Sequence, residues 1–173
     1  MNSNAFFPNL WRFLGLFAAQ ALFLKQVSLA LGSYFNILLY PLFILFLPLQ
    51  LATPYVVLLG FLIGMSVDFL YGTPGVHASA GAFSGYARSL IFFTFAPKGG
   101  YSGKELIFAP AFFGWQIFLQ VAALFFVAHL FWYFSVDAFT FVYVGAITLK
   151  TLAAWVLTML FVVLYTALFH PNN

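Results

Sequence analysis

Gly60-Phe61-Leu62-Ile63-Gly64-Met65-Ser66-Val67-Asp68-Phe69-Leu70-Tyr71-Gly72-Thr73-Pro74-Gly75-Val76-His77-Ala78-Ser79-Ala80-Gly81-Ala82-Phe83-Ser84-Gly85 reads as two helices joined by a turn. Gly60, Gly64, Asp68 and Gly72 recur every four residues and share one helix face. His77, Gly81 and Gly85 repeat the pattern on a second helix, with Ala78 and Ala82 beside them. Gly72-Thr73-Pro74-Gly75 carries the punctuation of a tight turn. Glycine at every fourth position lets two helix backbones approach closely, a packing device of membrane interiors. Two uses follow: the faces close the hairpin on itself, or one of them receives a partner's helix.

Outward from the hairpin the chain keeps the same character. Thr53-Pro54 suits an N-cap and N1 pair, and Asp68 is the one charged residue from there to Tyr71. Over all 173 residues, 65% are hydrophobic and 5% charged, against roughly 25% charged in soluble domains. Such a chain cannot build a solvated surface around its core. Its long apolar runs lack the alternation of a transmembrane β-barrel, which leaves helices that satisfy their own backbone in lipid. Cysteine is absent, so disulfides and thiolate metal sites do not arise. A net charge of +3 is too small to suggest nucleic-acid binding and is better read as topology. Met1 to Pro8 lacks the basic run and cleavage site of a signal peptide, so the first apolar segment is expected to be a retained helix.

The expected fold is an all-α integral membrane protein, one transmembrane domain over 1–173 with about six helices. The spans are placed at about 10–29, 34–51, 54–71, 76–95, 107–134 and 139–169. Pro41 and Pro48 make the second span kinked, irregular or re-entrant. The clearly polar loop runs from Pro97 to Glu105, and the last span ends before His170-Pro171. With a cytoplasmic N-terminus, Arg12, Lys98 and Lys104 fall on the inside as the positive-inside rule asks. Lys25 alone falls near the outside, with Asp68, His77, His129 and Asp137, and both termini are cytoplasmic. Trp11, Tyr34, Tyr71, Tyr101 and Trp132 sit near the expected interfaces, as aromatic belts do.

Polar residues within spans are the candidates for function. Asp68 either ties the Gly72–His77 turn by hydrogen bonds, with His77 as its partner, or serves a site. A metal site would need His129 and Asp137 as well, and nothing in the spacing makes them converge. Lys150, about 11 residues into the last span, falls near mid-membrane. It is expected to bond backbone carbonyls or Gln20, Gln116 or Gln120, or to pair with Asp68. Arg88, three turns beyond His77 on roughly the same side, is expected to snorkel to cytoplasmic phosphates. Ala82-Phe83-Ser84-Gly85 is a faint echo of the Gly-x-Ser-Gly of rhomboid proteases, without its first glycine or an evident matching histidine.

The hairpin resembles the rod shape-determining protein MreD family. The resemblance rests on Gly60-Phe61-Leu62-Ile63-Gly64, Asp68 and Gly72-x-Pro74-Gly75-x-His77-Ala78. It covers about Gly60 to Arg88; elsewhere the likeness is of size, hydropathy and short loops. It implies a multi-pass protein of the bacterial inner membrane, a non-enzymatic scaffold of the cell-wall elongation complex without a cofactor. Its implied partner is MreC, and through it RodA and a class B penicillin-binding protein of peptidoglycan synthesis. The family is similar in fold to the substrate-binding subunits of energy-coupling-factor transporters, which implies six helices around a central cavity.

That likeness supplies the alternative, a small-molecule-binding subunit of a membrane transporter. Against it, Ala18, Ala19 and Ala21 do not give the alanine-x-x-x-alanine docking spacing of such subunits. The polar residues available for a pocket are Asn36, Asp68, His77, Gln116 and Gln120. A third reading, an intramembrane enzyme, rests on Ser84 and the histidines.

Overall fold

The structure, a computed structural model, describes residues 3–31, 36–96, 101, 107–139 and 142–169. The start of the expected second span, most of the loop from Pro97 to Glu105 with Lys98 and Lys104, and His170-Pro171 lie outside the described residues. Every regular element among the described residues is helical. α1 (Ser3–Ala18) continues through a π-helical segment, Ala19–Leu24, into α2 (Lys25–Leu31). There follow α3 (Leu42–Leu45), α4 (Thr53–Tyr71), α5 (Val76–Thr94), α6 (Pro110–Ala138) and α7 (Val144–Phe169). α4, α6 and α7 are each long and apolar enough to cross a membrane.

Apolar composition makes these helices, and packing orders them. α4 and α5 form a tight antiparallel hairpin, α6 packs on α5, and α7 packs on α6. Gly72 ends α4 in the left-handed conformation (φ 70°) and Gly75 opens α5 in the same region (φ 88°). Both torsions favour glycine. The hairpin thus defines a turn end, at Gly72–Gly75, and an opposite end at Thr53. There the Thr53 hydroxyl bonds Ser89 Oγ at 2.8 Å instead of capping its own helix; the N-cap residue is Ala52, without a side-chain cap.

The second expected span takes its irregular form, not that of a kinked helix. Residues 36–51 are not a helix: residues 36–39 are non-helical, Tyr40-Pro41 turns, and α3 is a single helical turn. The segment still travels the bundle's length. Ile37 bonds Gln20 and Ser28 near the turn end, and the Leu47 carbonyl meets Arg88 towards the Thr53 end. Pro41 offers no N–H and disfavours a helical residue before it, so a continuous helix cannot form. Non-helical backbone at membrane depth is tolerated where protein surrounds it, and Ile37 to Leu47 is buried throughout. Its side chains fill the centre of the bundle. Tyr40, Leu42, Ile44 and Phe46 are fully enclosed there, and close van der Waals packing supplies their stabilisation.

α1 also runs towards the turn end, where Lys25 Nζ donates to the Leu70 carbonyl at 2.8 Å. α6 rises from Phe108, stacked on Phe92, to Tyr133, beside His77. α7 returns, so that Tyr165 reaches the Phe46 ring. Both ends of the described chain therefore lie at the Thr53 end. α6 is deflected at Gly114 (φ 77°, ψ 158°). α7 begins at Val144 rather than near 139, so Lys150 lies only about 9 Å along it, nearer the turn end than the middle.

Candidate functional site

The helix faces that carry the four-residue glycine spacing meet each other. A Cβ on Gly60 would strike the Gly81 carbonyl, and one on Gly81 the Gly60 carbonyl. On Gly64 it would strike the His77 carbonyl and come within 2.7 Å of Ala78 Cα; on Gly85 it would lie 2.7 Å from Val57 Cα. These contacts occupy Gly60, Gly64, Gly81 and Gly85 inside the hairpin, so any partner must touch other rows of α4 and α5.

Asp68 is the knot of the turn. Oδ1 accepts from His77 N (3.0 Å), His77 Nδ1 (2.9 Å) and the Thr73 hydroxyl (2.9 Å). Oδ2 accepts from Gly75 N (3.1 Å) and Ala78 N (2.9 Å). The carboxylate, placed on the last turn of α4, thus caps the N-terminus of α5, whose first N–H groups have no partner within their own helix. Negative charge there also complements the helix dipole. Pro74 holds the turn between the two left-handed glycines. Asp68 pairs with His77 and not with Lys150, which is half-buried on α7.

His77 is fully enclosed, with the rings of Tyr133, Tyr71 and Tyr40 at 4.8, 5.1 and 5.7 Å. Its Nε2 has no hydrogen-bond partner. Deeper in the bundle a second polar chain runs between helices. Ser84 Oγ lies 2.7 Å from His129 Nδ1, His129 Nε2 lies 3.2 Å from Tyr40 Oη, and Tyr40 Oη donates to the His77 carbonyl at 3.3 Å. One direction of donation satisfies every group: Ser84 to His129, His129 to Tyr40, Tyr40 to His77. Ser84 and His129 have the bond of a nucleophile and base, but both are buried. Among the described residues no three His, Asp or Glu side chains converge as metal ligands.

Side chains from four helices satisfy the irregular segment. Gln20, enclosed in the π-helical turn, donates to the Ile37 carbonyl (3.0 Å) and accepts from Leu39 N (2.7 Å) and Tyr40 N (3.3 Å). It also donates to Tyr71 Oη at 2.8 Å. Ser28 Oγ accepts from Ile37 N, and Thr158 Oγ1 from Leu38 N. Arg88 holds the other end: Nη2 donates to the Leu47 carbonyl at 2.6 Å and lies 3.4 Å from that of Pro48. The guanidinium sits over the Phe92 ring at 4.5 Å. Arg88 therefore does not snorkel; at 3% exposure it turns inward to the Leu47 carbonyl just past α3 and to that of Pro48, which also accepts from Leu51 N.

One open feature adjoins the knot. A groove of about 550 Å³ at the turn end is lined by Phe61, Met65 and Phe69 from α4, Pro74 and Gly75 from the turn, and Ala78 from α5. Asp68 and Gly72 edge it.

No family model matches the chain, and no curated protein or solved structure matches it. Its function is therefore argued from its own geometry. The sequence offers Asp68 with His77 as a pair and Ser84, Arg88 and His129 without a joining contact; the structure links Asp68, His77, His129 and Ser84 through Tyr40 and sets Arg88 apart on the Leu47 carbonyl. The sequence reading passed over Tyr40 and Thr158 and saw Gln20 only as a partner for Lys150. An amide inside an apolar run is costly unless bonded, which was the available signal for Gln20. A tyrosine beside a proline in an expected span carried none.

Proposed function

We propose that the chain is a non-enzymatic membrane scaffold of the bacterial cell-wall elongation complex, similar to MreD, and that it binds the single membrane helix of MreC. The observation that carries this reading is the groove beside the Asp68 knot. The motif Asp68…Gly72-x-Pro74-Gly75-x-His77 locks α4 to α5, and its rigid outer edge presents Phe61, Met65 and Phe69 one turn apart. Side chains in that row suit a helix laid along α4. RodA and the class B penicillin-binding protein then associate through MreC.

In this reading the five long helical rods and the buried segment 36–51 make six passes of the inner membrane. The Thr53 end, with both termini, is cytoplasmic, and the turn end is outside. Arg12 at the Thr53 end fits the positive-inside rule. Lys25 is at the outer end because its ammonium caps the C-terminal carbonyl of Leu70 and lies 5.0 Å over the Tyr71 ring.

Two observations weigh against the transporter alternative. The centre of the bundle, where a ligand would sit, is filled by Ile37 to Leu47. Gln116 and Gln120 lie on exposed faces of α6, away from the Asp68–His77 pair. The scaffold reading is tested by a photo-crosslinking residue at position 69 in bacteria carrying an MreC homologue, with position 152 on the exposed face of α7 as control. Crosslinking to MreC from 69 and not from 152 is expected. Crosslinks from 152 with none from 61, 65 or 69 would move the partner off the hairpin and refute the assignment.

A further inference from the structure

The chain has no cysteine and three methionines, so thioethers are its readily oxidised sulfur groups. Met1 lies outside the described residues, and Met159 is half-buried on α7, packed against the core. Met65 differs from Met159 on both counts. It is 45% exposed and stands midway along the groove wall, four residues from Phe61 and four from Phe69. A helix seated in the groove would lie directly on its side chain.

The groove suits a thioether and not a sulfoxide. Phe61, Phe69, Pro74 and Ala78 line it with apolar groups. The N–H groups of Gly72, Gly75 and Ala78 already donate to Asp68, through its backbone carbonyl or its carboxylate. Asp68 itself edges the groove as an acceptor, Pro74 has no N–H, and Phe61, Met65 and Phe69 use theirs within α4. None of these lining residues has a donor to spare for a sulfoxide oxygen. An apolar helix laid over that oxygen would bury it without a hydrogen bond, which is costly. The chain by itself loses no core contact, because Met65 is not among its core residues.

We propose that Met65 is an oxidation site that switches the groove off, its sulfoxide excluding the partner helix until it is reduced. The proposal rests on the scaffold reading and adds regulation to the same site. The sulfur lone pair takes one oxygen atom from a peroxide. The S–O bond forms as the O–O bond breaks, and the other oxygen leaves as water; sulfur gives up two electrons and the peroxide gains them. A methionine sulfoxide reductase reverses the step, two thiols supplying two electrons as they join in a disulfide while the oxygen leaves as water. Hydrogen peroxide is small and uncharged, so it can enter a groove that faces lipid.

The test treats the purified full chain in mild detergent with hydrogen peroxide, removes the peroxide, and then offers the chain a purified MreC homologue. Peptide mass spectrometry reads oxidation at each methionine. Met65 should oxidise well ahead of Met159. Capture of MreC should fall about tenfold as the Met65 sulfoxide accumulates, with heat stability unchanged. Methionine sulfoxide reductases and a dithiol should restore it. Met159→Leu should lose capture on oxidation as the wild type does, whereas Met65→Leu, read against its own untreated sample, should not respond to peroxide. Capture undiminished with Met65 fully oxidised, or lost equally from treated Met65→Leu, would overturn the proposal and leave the scaffold reading standing. A loss of capture that follows a loss of fold would overturn it too. An untreated chain that captures no MreC would overturn the scaffold reading, and this proposal with it.

Discussion

Replacing Asp68 by alanine removes the acceptor for five donors at once. Three of them, His77 N, His77 Nδ1 and Ala78 N, are in buried bonds; Gly75 N and the Thr73 hydroxyl are partly open. A buried donor left without an acceptor costs about 1–3 kcal/mol. Water can reach the two partly open donors at the turn, and His77 Nδ1 keeps Thr73 Oγ1 at 3.0 Å, so His77 N and Ala78 N dominate and a loss of about 2–6 kcal/mol is expected. At roughly 2–4 °C per kcal/mol for a chain of this size, heat stability in detergent should fall by about 4–24 °C. The assay is size-exclusion chromatography after a heating series, read by tryptophan fluorescence. Asp68→Asn keeps one acceptor oxygen and should fall between the two. Asp137→Ala removes an exposed carboxylate and should stay within about 0.5 kcal/mol of the wild type. Asp68→Ala within about 2 °C of wild type, or no more harmful than Asp137→Ala, would refute the reasoning.

Gly64→Ala would drive a methyl group into the His77 carbonyl and should lower yield and heat stability sharply, by about 2 kcal/mol or more. Gly15→Ala, where a Cβ meets nothing within 4 Å, should be neutral or stabilising by up to about 1 kcal/mol. Gln20→Leu strips donors and acceptors from residues 37–40 and should cost about 2–4 kcal/mol, with faster hydrogen exchange at Leu39 and Tyr40 N–H than at amides within α4. Phe69→Asn, at an 89% exposed groove position, should leave stability within about 1 kcal/mol while weakening MreC recovery at least fivefold.

Much of the fold could be read because its signals are local. The hairpin was legible from Gly60 to Gly85 since four-residue glycine spacing marks a close-packing helix face and Gly-x-Pro-Gly marks a turn; which helix meets that face took the structure to decide. Asp68 could be tied to His77 because the turn brings them together whatever the rest of the chain does. The second span was legible as broken, but its path was not. Pro41 and Pro48 announce that the helix breaks, but the path from 36 to 47 depends on Gln20, Ser28, Thr158 and Arg88, which come from distant parts of the chain. Arg88 was misplaced for the same reason. Its length suits an interface, and only the carbonyl of Leu47, which no backbone N–H reaches among the described residues, explains why it points inward. Ser84 and His129 are 45 residues apart, and their bond depends on how α5 packs on α6.

The most direct measurement is co-purification in mild detergent from bacteria with an MreC homologue, the tag on this chain, beside the folded Phe69→Asn variant. The account predicts MreC in fixed ratio to the wild type and its loss from the variant. A transporter ATPase module or a bound small metabolite, recovered without MreC, would contradict it.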